Sequence, residues 1–182
     1  MIIQTTRFGS VEIGSTDIID FPEGILGFAG LRKFVLLDDP GDEIFAWLQS
    51  CESAAVAFPI LEPTLFNSQY KVNLTRMDLE LLGLTKEKIP MIFAIVTIPE
   101  DPRLMTANLK APVVINVDKR IARQVVLQEP DLAIREPIFA KLQQRVVQPM
   151  GQREKTRAVD LGMAIRLPEM QPEVTNKSLQ TP

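Results

Sequence analysis

Phe34-Val35-Leu36-Leu37-Asp38-Asp39-Pro40-Gly41-Asp42-Glu43-Ile44-Phe45-Ala46-Trp47-Leu48 is the stretch that decides the fold class. Two short apolar runs, Phe34 to Leu37 and Ile44 to Leu48, flank a polar segment centred on Pro-Gly. Proline presets φ at the second position of a turn, and the glycine after it supplies the positive φ of a type II turn. The stretch therefore reads as a β-hairpin with an acidic tip. Its four carboxylates, Asp38, Asp39, Asp42 and Glu43, are the densest acidic group in the chain. They could hold a divalent metal or act as an acid/base pair. The spacing does not match a calcium loop, which alternates acids before its glycine. A solvated hairpin tip is the plainer reading, and a tip that attracts a basic partner lies between the two.

Working outward, the strand pattern continues on both sides. Met1 to Phe8 and Val11 to Ile13 flank Gly9-Ser10, a two-residue hairpin signal. Asp17 to Phe21 is a short strand stopped by Pro22, and Ala55 to Ile60 is a strand whose Pro59 marks an edge or exit. Between them, Gly24, Gly27 and Gly30 form a turn-rich connection. Met91 to Val96 is the longest apolar run and reads as a central strand. Leu104 to Leu109, Val113 to Val117 and Ala122 to Leu127 extend the series, with Asp118-Lys119 as a tight turn.

One helix stands out, from Thr75 to Leu82. Thr75 and Asp78 have capping-box spacing, Gly83 can end the helix, and Leu74, Met77, Leu81 and Leu84 recur at helical spacing. Residues 140–147 can form a second, final helix. About ten short strands with frequent Pro and Gly predict a mainly β, barrel-like or sandwich fold with one or two short helices. Beyond Pro149 the chain is polar. Residues 1–148 read as one β domain and 149–182 as a C-terminal tail, flexible or loosely docked. Within that tail, Val159 to Leu167 has enough apolar residues to dock.

Composition excludes several functions. The 182 residues include no histidine and one cysteine. A Ser-His-Asp triad, a Cys-His dyad, a Cys/His zinc site and an internal disulfide are all ruled out. Cys51 sits beside Glu52 rather than a cation, so its thiol is not activated. The glycines at 24, 27 and 30 match neither the P-loop nor the dinucleotide pattern. No secretory signal or membrane span is visible, and a cytoplasmic protein is expected, monomeric when free, with no membrane role.

The net charge of −3 hides an uneven split. Residues 1–62 carry ten acids and three bases, whereas residues 141–182 carry seven bases and four acids. An acidic body disfavours direct nucleic-acid binding and suits a basic protein partner. Arg153, Lys155 and Arg157 in the tail lack interleaved aromatics and give only a weak nucleic-acid signal. Most phenylalanines fall in or beside strands and belong to a core. Phe28, between Gly27 and Ala29, is the best candidate for an exposed anchor, with core packing as the alternative.

Several segments in order carry a resemblance. They are Thr6-Arg7-Phe8-Gly9, Phe21-Pro22-Glu23-Gly24-Ile25-Leu26-Gly27-Phe28, Phe45-Ala46-Trp47-Leu48-Gln49-Ser50, and Ala57-Phe58-Pro59-Ile60 leading to Pro63. Thr106-Ala107-Asn108-Leu109-Lys110-Ala111-Pro112-Val113-Val114-Ile115-Asn116 and Gln124-Val125-Val126-Leu127 complete the set. Over roughly residues 1–140 the chain resembles the flagellar assembly factor family, FliW.

The resemblance implies an antiparallel barrel-like β fold and a non-enzymatic regulator without cofactor. FliW-like proteins bind flagellin and the RNA-binding translational repressor CsrA in competition. Free FliW captures CsrA and relieves repression of flagellin translation. On this reading Glu23, Asp38, Asp39, Asp42 and Glu43 contribute an acidic partner surface. Phe28, Gln49 and Asn108 are further candidate contacts. Asn108 and Asn116 equally suit turn backbones, and turn chemistry favours that role. FliW-like chains commonly end near residue 150 here, so the last segment has no role to transfer. A small carboxylate-based metal-binding domain or hydrolase is the alternative, and a scaffold that binds flagellin but not the repressor is a third.

Overall fold

The computed structural model describes residues 1–38, 41, 44–85, 87–146 and 162–168. The quoted stretch forms the expected hairpin, β4 (Lys33–Asp38) and β5 (Ala46–Ser50), paired antiparallel with Leu37 opposite Trp47. Asp39, Asp42 and Glu43 lie outside the described residues, so the tip itself has no structural account.

The remaining strands are β1 (Ile2–Thr5), β2 (Gly9–Glu12), β3 (Ile19–Asp20), β6 (Ala57–Leu61), β7 (Met91–Thr97), β8 (Thr106–Ala107), β9 (Val113–Asn116), β10 (Ile121–Gln124), β11 (Glu136–Pro137) and β12 (Ala164–Arg166). The helices are α1 (Arg76–Leu82) and α2 (Phe139–Val146). Strands β7-β6-β5-β4-β3-β10-β9 form a ring that closes through the β9–β7 pairing. Six of those neighbour pairs are antiparallel and one, β3–β10, is parallel. Parity demands it: strands in a closed ring with an odd count cannot all alternate in direction. The barrel-like prediction holds, with this one parallel seam that alternation along the sequence does not reveal.

Side-chain alternation divides the core into an interior and two outer layers. Along β7, Met91, Phe93 and Ile95 enter the barrel interior with Phe34, Leu36 and Leu48. Ile92, Ala94 and Val96 face outward into a layer with Tyr70, Leu82, Leu109 and Leu142. On β4 and β5, Val35, Leu37 and Trp47 face outward under the β1–β2 hairpin, against Ile3, Val11 and Ile13. Strands covered on both faces read as unbroken apolar runs rather than alternating ones, and β4 and β7 do so for this reason.

Several local readings change. The first turn is not Gly9-Ser10. Thr5 pairs with Gly9, leaving Thr6, Arg7 and Phe8 as the loop, and Gly9 takes φ +68° at its exit. This is the three-residue loop that places a left-handed glycine after a turn. Arg7 lies 3.9 Å over the Trp47 ring and closes the outer layer. The strand expected at Asp17–Phe21 shortens to β3, because Ser15–Asp17 forms a 3-10 turn held by the Asp17 carboxylate on the Gly14 N–H.

Helix α1 forms with its predicted caps. The Thr75 hydroxyl accepts from the Asp78 N–H, the Asp78 carboxylate accepts from the Thr75 N–H, and Gly83 is left-handed at φ +60°. The predicted apolar stripe is only half right. Leu84 is buried, but Met77 and Leu81 are 65% and 47% exposed. Asp78 and Leu82 face inward instead. Two polar anchors set that rotation: Asp78 is bound by Arg123, and Asn116 donates to the Leu82 carbonyl at 2.9 Å.

Part of the expected tail is docked. Residues 162–168 contribute β12, which runs parallel to β4 with Ile165 opposite Leu37, and Met163 is buried in the barrel core. The rest of 149–182 lies outside the described residues.

Candidate functional site

The connection from β3 to β4 is a built surface feature. Phe21 is fully buried and packs edge-to-face on Phe34 at 4.9 Å. Its carbonyl accepts from the Gly24 N–H at 2.9 Å, and the Ile25 and Phe28 carbonyls accept from the Phe28 and Leu31 N–H groups. Three successive turns thus fix the loop without regular structure. Ile25 points into the core, which leaves Leu26 59% and Phe28 39% exposed. The Phe28 ring leans edge-on against Phe58 at 5.3 Å. Phe28 is therefore both half-packed and half-presented, between the two readings its sequence allowed.

Gly24 is the residue that permits this geometry. Its φ is +69°, and an added Cβ would lie 2.7 Å from the Ala29 Cα and the Phe28 oxygen. The backbone folds back on itself too closely for any side chain.

Strand β10 pins the loop from the other side. The Leu26 N–H donates to the Gln124 Oε1 at 3.0 Å, and the Gln124 amide donates onward to the Ala111 carbonyl. Arg123 spans two elements: its Nε pairs with Glu23 at 2.7 Å and its Nη1 with Asp78 of α1. Asp78 is almost wholly buried, whereas Glu23 is open to solvent. One guanidinium therefore ties the loop carrying Leu26 and Phe28 to the helix carrying the exposed Met77 and Leu81. Apolar side chains held on rigid backbone suit macromolecular recognition, because little freedom is lost when they bind.

The other candidates fare differently. Asp38 ends β4, and its carbonyl accepts from the Leu167 N–H at 3.0 Å. Gln49 is fully buried, so the contact role proposed for it is corrected. Its amide nitrogen donates to the carbonyls of Ser50, Ser53 and Val56 and holds the β5–β6 turn together. Asn108 is half-buried, and its Oδ1 accepts from the Lys110 and Ala111 N–H groups at 3.1 and 3.0 Å. That is the turn chemistry its sequence favoured.

Among the described residues no cluster of three or more Asp, Glu or Cys is placed to hold a metal ion. Burial first, and the neighbouring Glu52 second, push the Cys51 thiol up to about 11. A pocket of about 140 Å³ is lined by Glu62–Thr64, Tyr70 and Ile89–Ile92, and the Tyr70 hydroxyl is buried and donates to the Leu109 carbonyl at 2.8 Å. Among the described residues no helix is long and apolar enough to cross a membrane.

Comparison with known proteins decides the family. The family model described as FliW protein matches residues 2–138. The chain belongs to the FliW family. It is 62% identical over 167 residues to the flagellar assembly factor FliW of Bdellovibrio bacteriovorus, covering 92% of this chain and 95% of that one. The Leptospira interrogans factor of the same name is 38% identical over 138 residues, covering 75% and 92%. A crystal structure of a flagellar assembly factor FliW superposes with a TM-score of 0.71 at 35% identity, covering 76% of this chain and 97% of that one.

The FliW span contains the whole Leu26–Phe28 loop, α1 and Arg123. It stops before β12. The sequence reading missed Arg123, Asp78, Leu26, Met77 and Leu81 as surface-defining residues. Asp78 was visible as half of a capping box, but its pairing across 45 residues of chain was not.

Proposed function

We propose that this FliW-family chain acts in the cytoplasm as a flagellar assembly factor by protein binding. It binds flagellin, and when flagellin is absent it sequesters the repressor CsrA and so relieves repression of flagellin translation. The family match over residues 2–138 carries the reading. Two physical features support it: the rigid loop offers Leu26 and Phe28 to a partner, and the acidic first third suits a basic RNA-binding protein. The protein itself needs no RNA contact and no cofactor in this scheme.

The test is a pair of separate co-purifications, with flagellin and with CsrA, followed by competition between the two. The reading requires that both are retained and that flagellin displaces CsrA. Retention of flagellin alone reduces the protein to a scaffold, and retention of neither ends the proposal. Lysine at Asp38, Asp39, Asp42 and Glu43 should slow CsrA association and flatten its salt dependence, measured by stopped flow and calorimetry. Unchanged binding removes the acidic tip from the interface.

A further inference from the structure

The loop that presents Leu26 and Phe28 is anchored from inside the barrel. It leaves β3 at Phe21 and returns to β4 through Leu31. Phe21 and Ile25 are buried in the interior cluster, and Leu31 packs against it. Ile19, on β3 itself, is fully buried in the same cluster. So is Met163 of the C-terminal segment, at 1% exposure, with Ala164 packed beside it.

The segment also meets β3 along the sheet. β5 occupies one whole edge of β4, from Phe34 to Asp38. On the other edge β3 covers Lys33 and Phe34, and β12 covers Leu36 to Asp38. The two strands share that edge, with Val35 between their pairings.

Arg120 joins them a second time. Its carbonyl accepts from the Asp20 N–H at 2.8 Å, and its Nη2 donates to the Gly162 carbonyl at 3.1 Å. One residue therefore holds both the strand that starts the loop and the residue that precedes Met163. Arg120 is the one non-glycine among the described residues with a positive φ, +51°. Such a conformation persists where the surroundings over-determine it, and here the carbonyl and the guanidinium are both engaged. A packed interior has few voids to absorb a displacement, so a shift at Met163 reaches the side chains that share its cluster.

We propose that Met163 and Arg120 are positioning residues for the Phe21–Leu31 loop. The docked C-terminal segment is a fixed brace: it holds β3 and the buried anchors Phe21 and Ile25, and so keeps Leu26 and Phe28 in place on the surface. The brace acts through these residues and needs no contact with a partner. Its existence is independent of what the loop binds, and only its value for flagellin binding rests on the proposed function.

The test is hydrogen exchange on full-length chains. Met163→Ala removes the buried side chain of the brace, and Leu142→Ala removes a buried one from the outer layer. The loop is read at the Phe21 and Leu31 amides, which donate to the Arg32 and Phe28 carbonyls. The outer layer is read at the Leu109 and Leu127 amides, which donate to the Ala133 and Lys110 carbonyls. In Met163→Ala the loop amides should exchange at least about tenfold faster, with a much smaller change in the outer layer. Leu142→Ala should show the reverse. Met163→Leu keeps the volume and should stay nearer the unaltered rates than Met163→Ala does. Arg120→Ala should speed the loop amides too, and Arg120→Lys, which keeps a donor, should recover part of the loss.

Equal acceleration at both sets of amides in Met163→Ala marks an ordinary core residue and overturns the proposal, as do unchanged loop amides. Should Met163→Ala fail to fold, the Arg120 variants decide, and unaltered loop exchange in Arg120→Ala refutes the brace. The readout involves no partner, so failure of the unaltered chain to retain flagellin ends the proposed function without changing these rates.

Discussion

Gly24→Ala, compared with Gly27→Ala, separates two costs that are usually confounded. Both glycines have positive φ, +69° and +84°. Holding an L-residue there costs about 1–2 kcal/mol, partly offset by about 0.4–1 kcal/mol from a stiffer unfolded chain. At Gly27 that is the whole effect, because nothing lies within 4 Å of an added Cβ. At Gly24 the new methyl meets Ala29 Cα and Phe28 O at 2.7 Å. Those are backbone atoms, so the loop must move, and overpacking of this kind adds about 1–3 kcal/mol. Gly27→Ala should therefore cost about 1 kcal/mol and Gly24→Ala about 2–4 kcal/mol. At about 2–4 °C per kcal/mol for a chain of this size, the melting temperatures should fall by about 2–4 °C and about 4–16 °C. Differential scanning calorimetry measures both. If the two variants melt together, the close approach at Gly24 is not what shapes the loop and the steric argument fails. On the proposed function, flagellin retention should also suffer more in Gly24→Ala, since that change moves Leu26 and Phe28.

Three further perturbations probe the supports of this surface. Gln49→Glu replaces an amide that donates to three carbonyls by an acceptor-only anion, so at pH 7 it should cost about 3 kcal/mol or more in urea unfolding. Burial disfavours the charged form of the introduced carboxyl, so its destabilisation should shrink as the pH falls toward 5; a pH-independent loss contradicts burial of the new charge. Arg123→Met strips Asp78 and Glu23 of their shared partner and should cost about 1–3 kcal/mol, with faster exchange in both the loop and α1. A loss confined to α1 would show that Glu23 does not depend on the guanidinium. The Glu52 carboxylate accepts from the Arg32 and Lys33 N–H groups, which hold it below its ordinary value. Its stabilising effect is present at neutral pH and is lost as the pH falls below about 4.5 through the lowered value, so Glu52→Gln should flatten the acid limb of the stability profile.

Local chemistry was legible where neighbours in sequence supply it. The β4–β5 hairpin, the Thr75–Asp78 capping box, Gly83 and the turn at Asn108 all rest on groups a few residues apart. The candidate surface was only partly legible. Phe28 could be singled out for its glycine neighbours, but the exposure of Leu26 follows from Ile25 taking the core position beside it. Gln49 sits between Leu48 and Ser50 on a strand, and its sequence cannot say that three carbonyls of the turn it faces converge on its amide nitrogen.

The sequence by itself determined the class: a β domain of short strands, without histidine chemistry, bearing the ordered motifs of the FliW family. Periodicity and turn chemistry act over a few residues, and composition acts over the whole chain, so both survive without coordinates. Tertiary structure alone decided how α1 is rotated, which residues the loop presents, and where the C-terminal segment docks. Each depends on contacts between residues far apart in the chain: Arg123 with Glu23 and Asp78, and Ile165 beside Leu37. Closing a ring of seven strands then required a parallel seam, which falls at β3–β10, a constraint that exists only once all the strands are assembled.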